Sequence, residues 1–290
     1  MIESVDLPGE LWEPFMPLLE EGEAVDVEAT LTLPPTNEPV PVVILTHGCG
    51  GPGDAELGWV SYLEGLGIGS LLVDHLGGRD ITTLCFGAET LNVASILVDV
   101  YRAADSLEGH PHVDIDNLAV MGLSLGGRTA LWSAVERFED LYSGRTFQGH
   151  IALYPSACFI ELEDEHVVTG APIRILHGTA DDWTPIDQCH DYVDRMLGHG
   201  VDIRLIEYVG APHSFDNSSG PTPAVEIPAV SPRNCTFVER GGSIVDVNTG
   251  AVAGVRSTCV EIGAHYGFDA EARDAARADV ADFLDHIFDR

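Results

Sequence analysis

The chain has 290 residues, 45% of them hydrophobic, which is enough apolar material for a globular domain with a sizeable core. Its 47 acidic and 14 basic residues give a formal charge of −33, which argues against nucleic acid and membranes as partners and favours neutral substrates. No run approaches the roughly 20 apolar residues that span a bilayer, so we expect a soluble protein. The first six residues lack the basic and then apolar pattern of a signal peptide.

Short apolar runs alternate with segments of helical periodicity, which predicts an α/β fold with a mostly parallel central sheet flanked by helices. An alternating stretch at residues 24–33 predicts an edge strand. The predicted core strands follow in chain order at residues 41–46, 68–74, 118–122, 150–154, 172–177 and 203–208. The predicted helices lie at residues 55–66, 88–107, 125–138, 185–198 and 270–288.

Residues 217–263 interrupt this alternation, because they are rich in Pro, Gly, Ser and Thr and have no helical period. Cys235 and Cys259 lie on either side of two turn sequences, Gly241-Gly242 and Asn248-Thr249-Gly250, so we predict an inserted β-hairpin. A long insertion is usually functional or disordered, and a lid is one possible role. No linker separates a second domain, so the expectation is one domain over residues 1–290 that carries this insertion.

The pentapeptide Gly122-Leu123-Ser124-Leu125-Gly126 follows a predicted strand and begins a predicted helix. In a strand–turn–helix elbow the serine has a strained backbone, and the flanking glycines remove side chains that would clash. This context predicts that Ser124 is a catalytic nucleophile. A plain glycine-rich turn is the alternative.

A serine nucleophile needs a histidine base and an orienting carboxylate, which follow it in this type of fold in the order acid, then histidine. Asp181 comes just after the predicted strand at 172–177 and is the predicted acid, with Asp182 as the alternative. His213 follows the last core strand and is the predicted base. His265, beyond the insertion, is the alternative to it.

The oxyanion of an acyl-transfer intermediate needs backbone N–H donors. Leu125, directly after the nucleophile, is predicted to supply one, and the glycine-rich loop at residues 47–51 the other, through Cys49 or Gly50. A simple tight turn explains the same glycines. Trp183 is predicted to line a substrate pocket. Arg79 is predicted either to hold a substrate carboxylate there or to form a structural ion pair.

Histidine and aspartate alternate from His110 to Asp116, a composition found in metal sites. The stretch has the composition of a short polar connection, and Pro111 disturbs the regular spacing that metal ligands need. We therefore expect no metal site, and no other pattern in the chain calls for a cofactor.

Taken together, these residues resemble the dienelactone hydrolase family within the α/β-hydrolase superfamily, from about the first core strand to the final helix. The resemblance rests on His47-Gly48-Cys49-Gly50-Gly51, Val73-Asp74 with Arg79 and Cys85, Gly122-Leu123-Ser124-Leu125-Gly126-Gly127, Tyr154-Pro155, Asp181-Asp182-Trp183-Thr184-Pro185 with Cys189, and Tyr208 with His213-Ser214-Phe215-Asp216. It implies an α/β-hydrolase fold and no cofactor. With the family topology, the cysteines pair as Cys49–Cys85, Cys158–Cys189 and Cys235–Cys259, which would indicate an exported protein. Six free thiols in a cytoplasmic enzyme are the alternative.

One departure from the family affects the expected chemistry. The family's namesake has a cysteine nucleophile, whereas Ser124 occupies that position here. A serine with a His–Asp pair predicts hydrolysis of small-molecule carboxylic esters through an acyl-enzyme. One alternative is a polyester or lipid-ester hydrolase with the insertion as a lid. Another is a peptidase, because residues 177–182 also resemble the acid loop of prolyl oligopeptidase-type enzymes. A third is a non-catalytic binding module. Neither the natural substrate nor the oligomeric state is predicted.

Overall fold

The computed structural model describes residues 1–8, 22–88, 90–142 and 144–290. Its strands are β1 (Ile2–Asp6), β2 (Glu23–Thr32), β3 (Val40–Thr46), β4 (Gly69–Asp74), β5 (Val113–Leu123), β6 (His150–Leu153), β7 (Ile160–Glu161), β8 (Ile173–Gly178), β9 (Ile203–Tyr208), β10 (Val225–Ser231), β11 (Phe237–Arg240), β12 (Ser243–Asp246) and β13 (Glu261–Tyr266). Its helices are α1 (Asp54–Gly65), α2 (Val93–Asp105), α3 (Leu125–Trp132), α4 (Glu136–Tyr142), α5 (Ile186–Gly198) and α6 (Ala270–Ile287).

The central sheet has eight strands in the order β1-β2-β4-β3-β5-β6-β8-β9. The six strands from β4 to β9 in this order pair in parallel, and β1 and β2 are antiparallel to their neighbours. One face of the sheet packs against α2, α3 and α5, and the other packs against α1 and α6. The predicted α/β architecture is therefore confirmed, and the carboxyl ends of the parallel strands meet at one edge.

Three predictions about these elements are wrong for identifiable reasons. The stretch predicted as an edge strand, β2, is an inner strand, because β1 pairs with its first half and β4 with its second half. The helix predicted over 88–107 begins only at Val93, where the Asn92 side chain accepts the Ala94 N–H at 2.9 Å and caps it. The helix predicted over 125–138 is broken into α3 and α4, because Val135 leaves the helix to bridge Val168.

The predicted insertion contains β10, β11, β12 and the first residues of β13. The predicted hairpin is present: β11 and β12 pair around Gly241 and Gly242, whose φ angles of 57° and 79° match the turn that favours glycine. β13 pairs with β10 and continues to Tyr266, beyond the predicted end of the insertion.

In the described part of the chain, every helix is too short or too polar to cross a bilayer.

Candidate active site

Ser124 lies between β5 and α3 with φ 54° and ψ −107°, a conformation that is strained for a residue with a side chain. The glycines on either side permit this turn. A Cβ on Gly122 would lie 2.1 Å from the carbonyl oxygen of Gly126, and one on Gly126 would lie 2.2 Å from that of Thr46. The turn therefore requires glycine at both positions, and it holds the serine at the carboxyl edge of the sheet.

The structure brings the three predicted catalytic side chains together from three different loops. His213 Nε2 lies 3.1 Å from Ser124 Oγ, and His213 Nδ1 lies 2.7 Å from Asp181 Oδ2. All three residues are buried, so water competes little with these hydrogen bonds. The arrangement has the order and the distances of a nucleophile, a base and an orienting acid.

Asp181 is fixed by its own loop as well as by the histidine. Its Oδ1 accepts the backbone N–H groups of Trp183 and Thr184, both at 2.9 Å, and its Oδ2 accepts the Thr184 hydroxyl at 3.1 Å. Burial alone would raise the pKa of Asp181, but the charge of and the hydrogen bond from His213 outweigh it, so the pKa lies below its ordinary value. The carboxylate stays ionised at neutral pH and can hold the imidazole in one orientation.

The alternative acid and base, Asp182 and His265, lie apart from Ser124 and contact each other. His265 Nδ1 and the His265 backbone N–H each lie 2.8 Å from a carboxylate oxygen of Asp182. Both side chains are solvent-exposed, and Arg233 also reaches Asp182 at 3.5 Å. The pair ties β13 to the loop after β8.

The loop predicted to donate to the oxyanion, residues 47–51, is called the oxyanion loop below. Its residues 48–51 line the same cavity as Ser124, and Glu56 holds the backbone at Gly48 and at Gly53, two residues after the loop. Glu56 Oε1 accepts the Gly48 N–H at 3.2 Å, and Oε2 accepts the Gly53 N–H at 2.9 Å. Sequence reasoning missed Glu56, although its position three residues after Gly53 has the spacing of a capping box.

Two further links hold this loop at Cys49. Its carbonyl oxygen accepts the Leu84 N–H at 2.8 Å, and its sulfur is bonded to Cys85. The backbone is therefore held at Gly48, Cys49 and Gly53 before any substrate binds, as electrostatic stabilisation of an oxyanion requires.

Two cavities adjoin Ser124. One, of about 230 Å³, lies on the side of the oxyanion loop and includes Glu56 and Tyr154 in its lining. The other, of about 60 Å³, lies between α3 and the insertion and includes Leu125 and Trp183. They lie on two sides of Ser124 and share Cys49, Cys85 and Trp183 in their linings.

The two predicted pocket residues differ in position. Trp183 lines both cavities, its ring centroid is 4.7 Å from that of His213, and its indole N–H donates to the carbonyl oxygen of Val230 at 2.9 Å. Arg79 lines neither cavity. Its guanidinium donates to both carboxylate oxygens of Asp99, at 2.8 and 3.0 Å, so the substrate role predicted for Arg79 is wrong and the structural ion pair is correct.

This ion pair belongs to a buried network under the oxyanion loop. His75 Nδ1 lies 2.8 Å from Asp99 Oδ2, its Nε2 lies 2.8 Å from the Thr46 hydroxyl, and the Ser4 hydroxyl also donates to Asp99. Burial raises the pKa of Asp99, but the hydrogen bonds from His75 and Arg79 lower it by more, so the net shift is downward.

A second buried carboxylate, Asp216, lies behind the histidine. It accepts the Trp59 indole N–H and the Tyr154 hydroxyl, both at 2.6 Å, and burial raises its pKa. The Tyr154 ring in turn packs 4.7 Å from the His213 ring, measured between centroids. Tyr154 thus packs against the base, and Trp59 and Tyr154 share Asp216 as their acceptor.

All six cysteines are paired, as Cys49–Cys85, Cys158–Cys189 and Cys235–Cys259. Within the described ranges, no group of three or more His, Cys, Asp and Glu side chains is arranged to hold a metal ion, and this includes the stretch from His110 to Asp116.

The model of the dienelactone hydrolase family matches residues 27–239, which is more than half of the chain. The chain belongs to the dienelactone hydrolase family. A probable 2-oxo-3-(5-oxofuran-2-ylidene)propanoate lactonase from a Bradyrhizobium species is 29% identical over 44% of the chain and 51% of its own length. An uncharacterized peptidase of Bacillus subtilis is 24% identical over 42% of the chain and 22% of its own length. The chain thus aligns with about half of the lactonase and about a fifth of the peptidase.

Solved structures agree on the fold. A dienelactone hydrolase-like promiscuous phosphotriesterase from metagenomic libraries has a TM-score of 0.59 at 14% identity, covering 99% of this chain and 98% of its own. Esterase 2 of Thermogutta terrifontis, in a structure phosphoramylated by tabun, has a TM-score of 0.52 at 19% identity, covering 73% and 87%. At these identities the likeness concerns the α/β-hydrolase fold alone.

Proposed function

We propose that the protein is a cofactor-independent serine hydrolase of small-molecule carboxylic esters that works through an acyl-enzyme. The observation that carries the proposal is the continuous hydrogen-bonded series from Asp181 through His213 to Ser124, with the serine in a strained elbow that faces two cavities. Membership of the dienelactone hydrolase family supports ester hydrolysis.

The acylation step follows from these positions. His213 Nε2 removes the proton of Ser124 as Oγ attacks the carbonyl carbon of the ester, and the resulting oxyanion accepts the N–H groups of Leu125 and of Cys49 or Gly50. When the intermediate collapses, the bond to the alcohol oxygen breaks and the imidazolium returns its proton to the leaving alkoxide. The acyl group is then bonded to Ser124.

Deacylation repeats this sequence with water. His213 removes a proton from water as its oxygen attacks the acyl carbon, and the second tetrahedral intermediate expels Ser124 Oγ, which regains its proton from the histidine. Asp181 holds the imidazole and offsets its positive charge in both steps. Each role is filled by a residue of this chain, so no metal or organic cofactor is needed.

The experiment that tests the proposal combines covalent labelling with kinetics. A fluorophosphonate probe should label the native protein at Ser124, and the native protein should hydrolyse p-nitrophenyl acetate. Ser124→Ala should lose both the labelling and the hydrolysis. The matched control is Ser218→Ala, which removes the hydroxyl of an exposed serine and should leave both signals unchanged. Absence of labelling in the native protein would favour a non-catalytic binding module.

The substrate alternatives are separated by a second panel. Equal turnover of a p-nitrophenyl ester and the corresponding p-nitroanilide would favour a peptidase. Release of soluble products from a polyester film or an emulsified triglyceride, at a rate above that for soluble esters, would favour a polyester or lipid-ester hydrolase.

The three disulfides support a protein that works in an oxidising compartment, because such bonds persist outside the reducing cytoplasm. Thiol titration of the denatured protein, isolated without a reductant, should detect no free thiol. Six free thiols would contradict this assignment.

A further inference from the structure

Two spaces of very different size meet at one side chain of the insertion, Val255. On its inner side is the cavity of about 60 Å³ that includes Ser124. On its outer side is a cleft of about 610 Å³, whose lining includes Gly87, Thr249 and Arg256, and both spaces are partly open to solvent. Val255 belongs to the lining of both, so it forms part of the partition between them.

Apolar side chains of both the core and the insertion line the inner cavity. Leu84, Leu125 and Trp183 belong to the core of the fold, whereas Val230, Pro232 and Val255 belong to the insertion. Arg128, Ser156 and Thr184 also line the cavity, but most of its surface is apolar. A mostly apolar space beside the nucleophile suits the acyl chain of an ester, because the chain leaves water there.

The insertion is bonded in place along this wall. The Val230 N–H donates to the carbonyl oxygen of Cys85 at 2.9 Å, and the Val230 carbonyl oxygen accepts the Trp183 indole N–H at 2.9 Å. The Ser231 hydroxyl, which is buried, donates to the Trp183 carbonyl oxygen at 2.9 Å. These contacts attach this part of the insertion to Cys85 and to the loop after β8.

The segment that carries Val255 is anchored at both ends. On one side the Ala253 N–H donates to the Ile244 carbonyl oxygen at 2.8 Å, and on the other Cys259 is bonded to Cys235. Between them a turn is closed by the Ser257 N–H, which donates to the Gly254 carbonyl oxygen at 2.9 Å. The valine side chain is thus held against the cavity by a short, doubly anchored turn.

The size of the inner cavity limits what can enter it. A cavity needs roughly 10–15 Å³ for one water-sized group, so about 60 Å³ admits on the order of four such groups. We propose that Val255 sets the acyl-chain limit of the enzyme, so that esters of acids with up to about four carbons are preferred and longer chains are excluded by this side chain. This inference rests on the proposed ester hydrolysis at Ser124.

Truncation of Val255 joins the two spaces, so a longer chain gains a route from the nucleophile into the outer cleft. The experiment measures kcat/KM for p-nitrophenyl esters of two, four, six and eight carbons. In the wild type we expect values to fall by at least tenfold between four and eight carbons. In Val255→Ala the ratio of the eight-carbon to the two-carbon value should rise at least tenfold.

Val252→Ala is the matched control, because Val252 is an exposed valine of the same segment that lines only the outer cleft. Its chain-length profile should equal that of the wild type. Val255→Leu provides the opposite change, since a longer side chain fills the cavity, and it should lower the four-carbon to two-carbon ratio at least fivefold. Val255→Leu therefore decides the question if Val255→Ala does not fold.

The failures are distinguishable. An active enzyme whose profile is the same in the wild type, Val255→Ala and Val255→Leu overturns the role of Val255 and leaves the ester hydrolase intact, as does a wild type that accepts eight carbons as well as four. A protein that neither reacts with the fluorophosphonate nor hydrolyses any ester overturns both.

Discussion

Glu56→Gln tests the idea that the oxyanion loop is held in position by a buried carboxylate. Glu56 is 5% exposed and binds the N–H groups of Gly48 and Gly53 with separate oxygens. Glutamine has the same shape but only one acceptor oxygen, so its amide N–H₂ group faces one of these backbone donors. The loop then loses one of its two attachments to α1, and the Cys49 N–H is displaced.

The magnitude follows from two principles. Complete removal of an oxyanion donor lowers kcat by about 10²–10³, and displacement of a donor that remains present costs less. We therefore expect kcat to fall by about tenfold, equivalent to about 1.4 kcal/mol of transition-state stabilisation, with KM within about threefold of the wild type.

The effect of Glu56→Gln on the free energy of unfolding is expected to be small. Burial raises the pKa of Glu56, so the ionised group opposes folding at pH values above its unfolded pKa of about 4.3. The neutral glutamine removes this cost at pH 7, which offsets the lost hydrogen bond. The free energy of unfolding should then stay within about 1 kcal/mol of the wild type, while kcat falls.

The assay is steady-state hydrolysis of p-nitrophenyl acetate together with urea denaturation. Glu64→Gln is the matched control, since Glu64 is an exposed glutamate on the same helix and its replacement should change neither kcat nor stability. Wild-type kcat in Glu56→Gln would refute the positioning role. A parallel loss of kcat and stability would show that Glu56 acts on the fold as a whole.

Three further outcomes are expected. Asp181→Asn should lower kcat by about 10³–10⁴, because the amide favours the wrong imidazole tautomer, and a loss below tenfold in steady-state kinetics would remove Asp181 from the triad. Cys85→Ser should lower kcat about tenfold by releasing Cys49, whereas wild-type kcat in this variant would show that Glu56 and the Leu84 N–H suffice. Asp99→Asn should cost about 3–5 kcal/mol at pH 7, because it leaves Arg79 buried without its carboxylate. Since the folded pKa of Asp99 is lowered, its stabilisation is present above the unfolded pKa of about 3.9 and is lost as the pH falls through the folded pKa. Urea denaturation between pH 2 and pH 7 should therefore show a weaker pH dependence in the variant, and equal curves would contradict the assignment.

The central strands were predictable to within one or two residues where both faces are buried. The strands β3, β4, β6 and β8 are short apolar runs, and burial on both faces produces this pattern. The first strand, β1, was not predicted, since five residues of mixed polarity carry no period that differs from a loop. The break between α3 and α4 depends on the bridge from Val135 to Val168, a long-range contact that local periodicity cannot reveal.

The positions of the candidate triad were predictable because they follow from strand ends and chain order. Asp181 and His213 come just after two adjacent parallel strands, so their side chains reach the same edge as Ser124. The supports of the site were not predictable. Glu56 lies on α1 and Asp99 on α2, and only the packed structure shows which backbone groups and cations they contact.

The residues that hold the site are bonded to one another in a continuous series around the nucleophile. This connection affects how the proposed role of Val255 must be tested. The sulfur of Cys85 is bonded to Cys49 of the oxyanion loop, and the carbonyl oxygen of Cys85 accepts the Val230 N–H. Val230 in turn accepts the Trp183 indole N–H, and the Trp183 backbone N–H donates to Asp181. These bonds connect the oxyanion loop, the insertion and the orienting acid. A substitution in the insertion can therefore change kcat for every substrate. The ratio of kcat/KM between long and short acyl chains cancels this common change, so the ratio and not the absolute rate reports the size of the cavity.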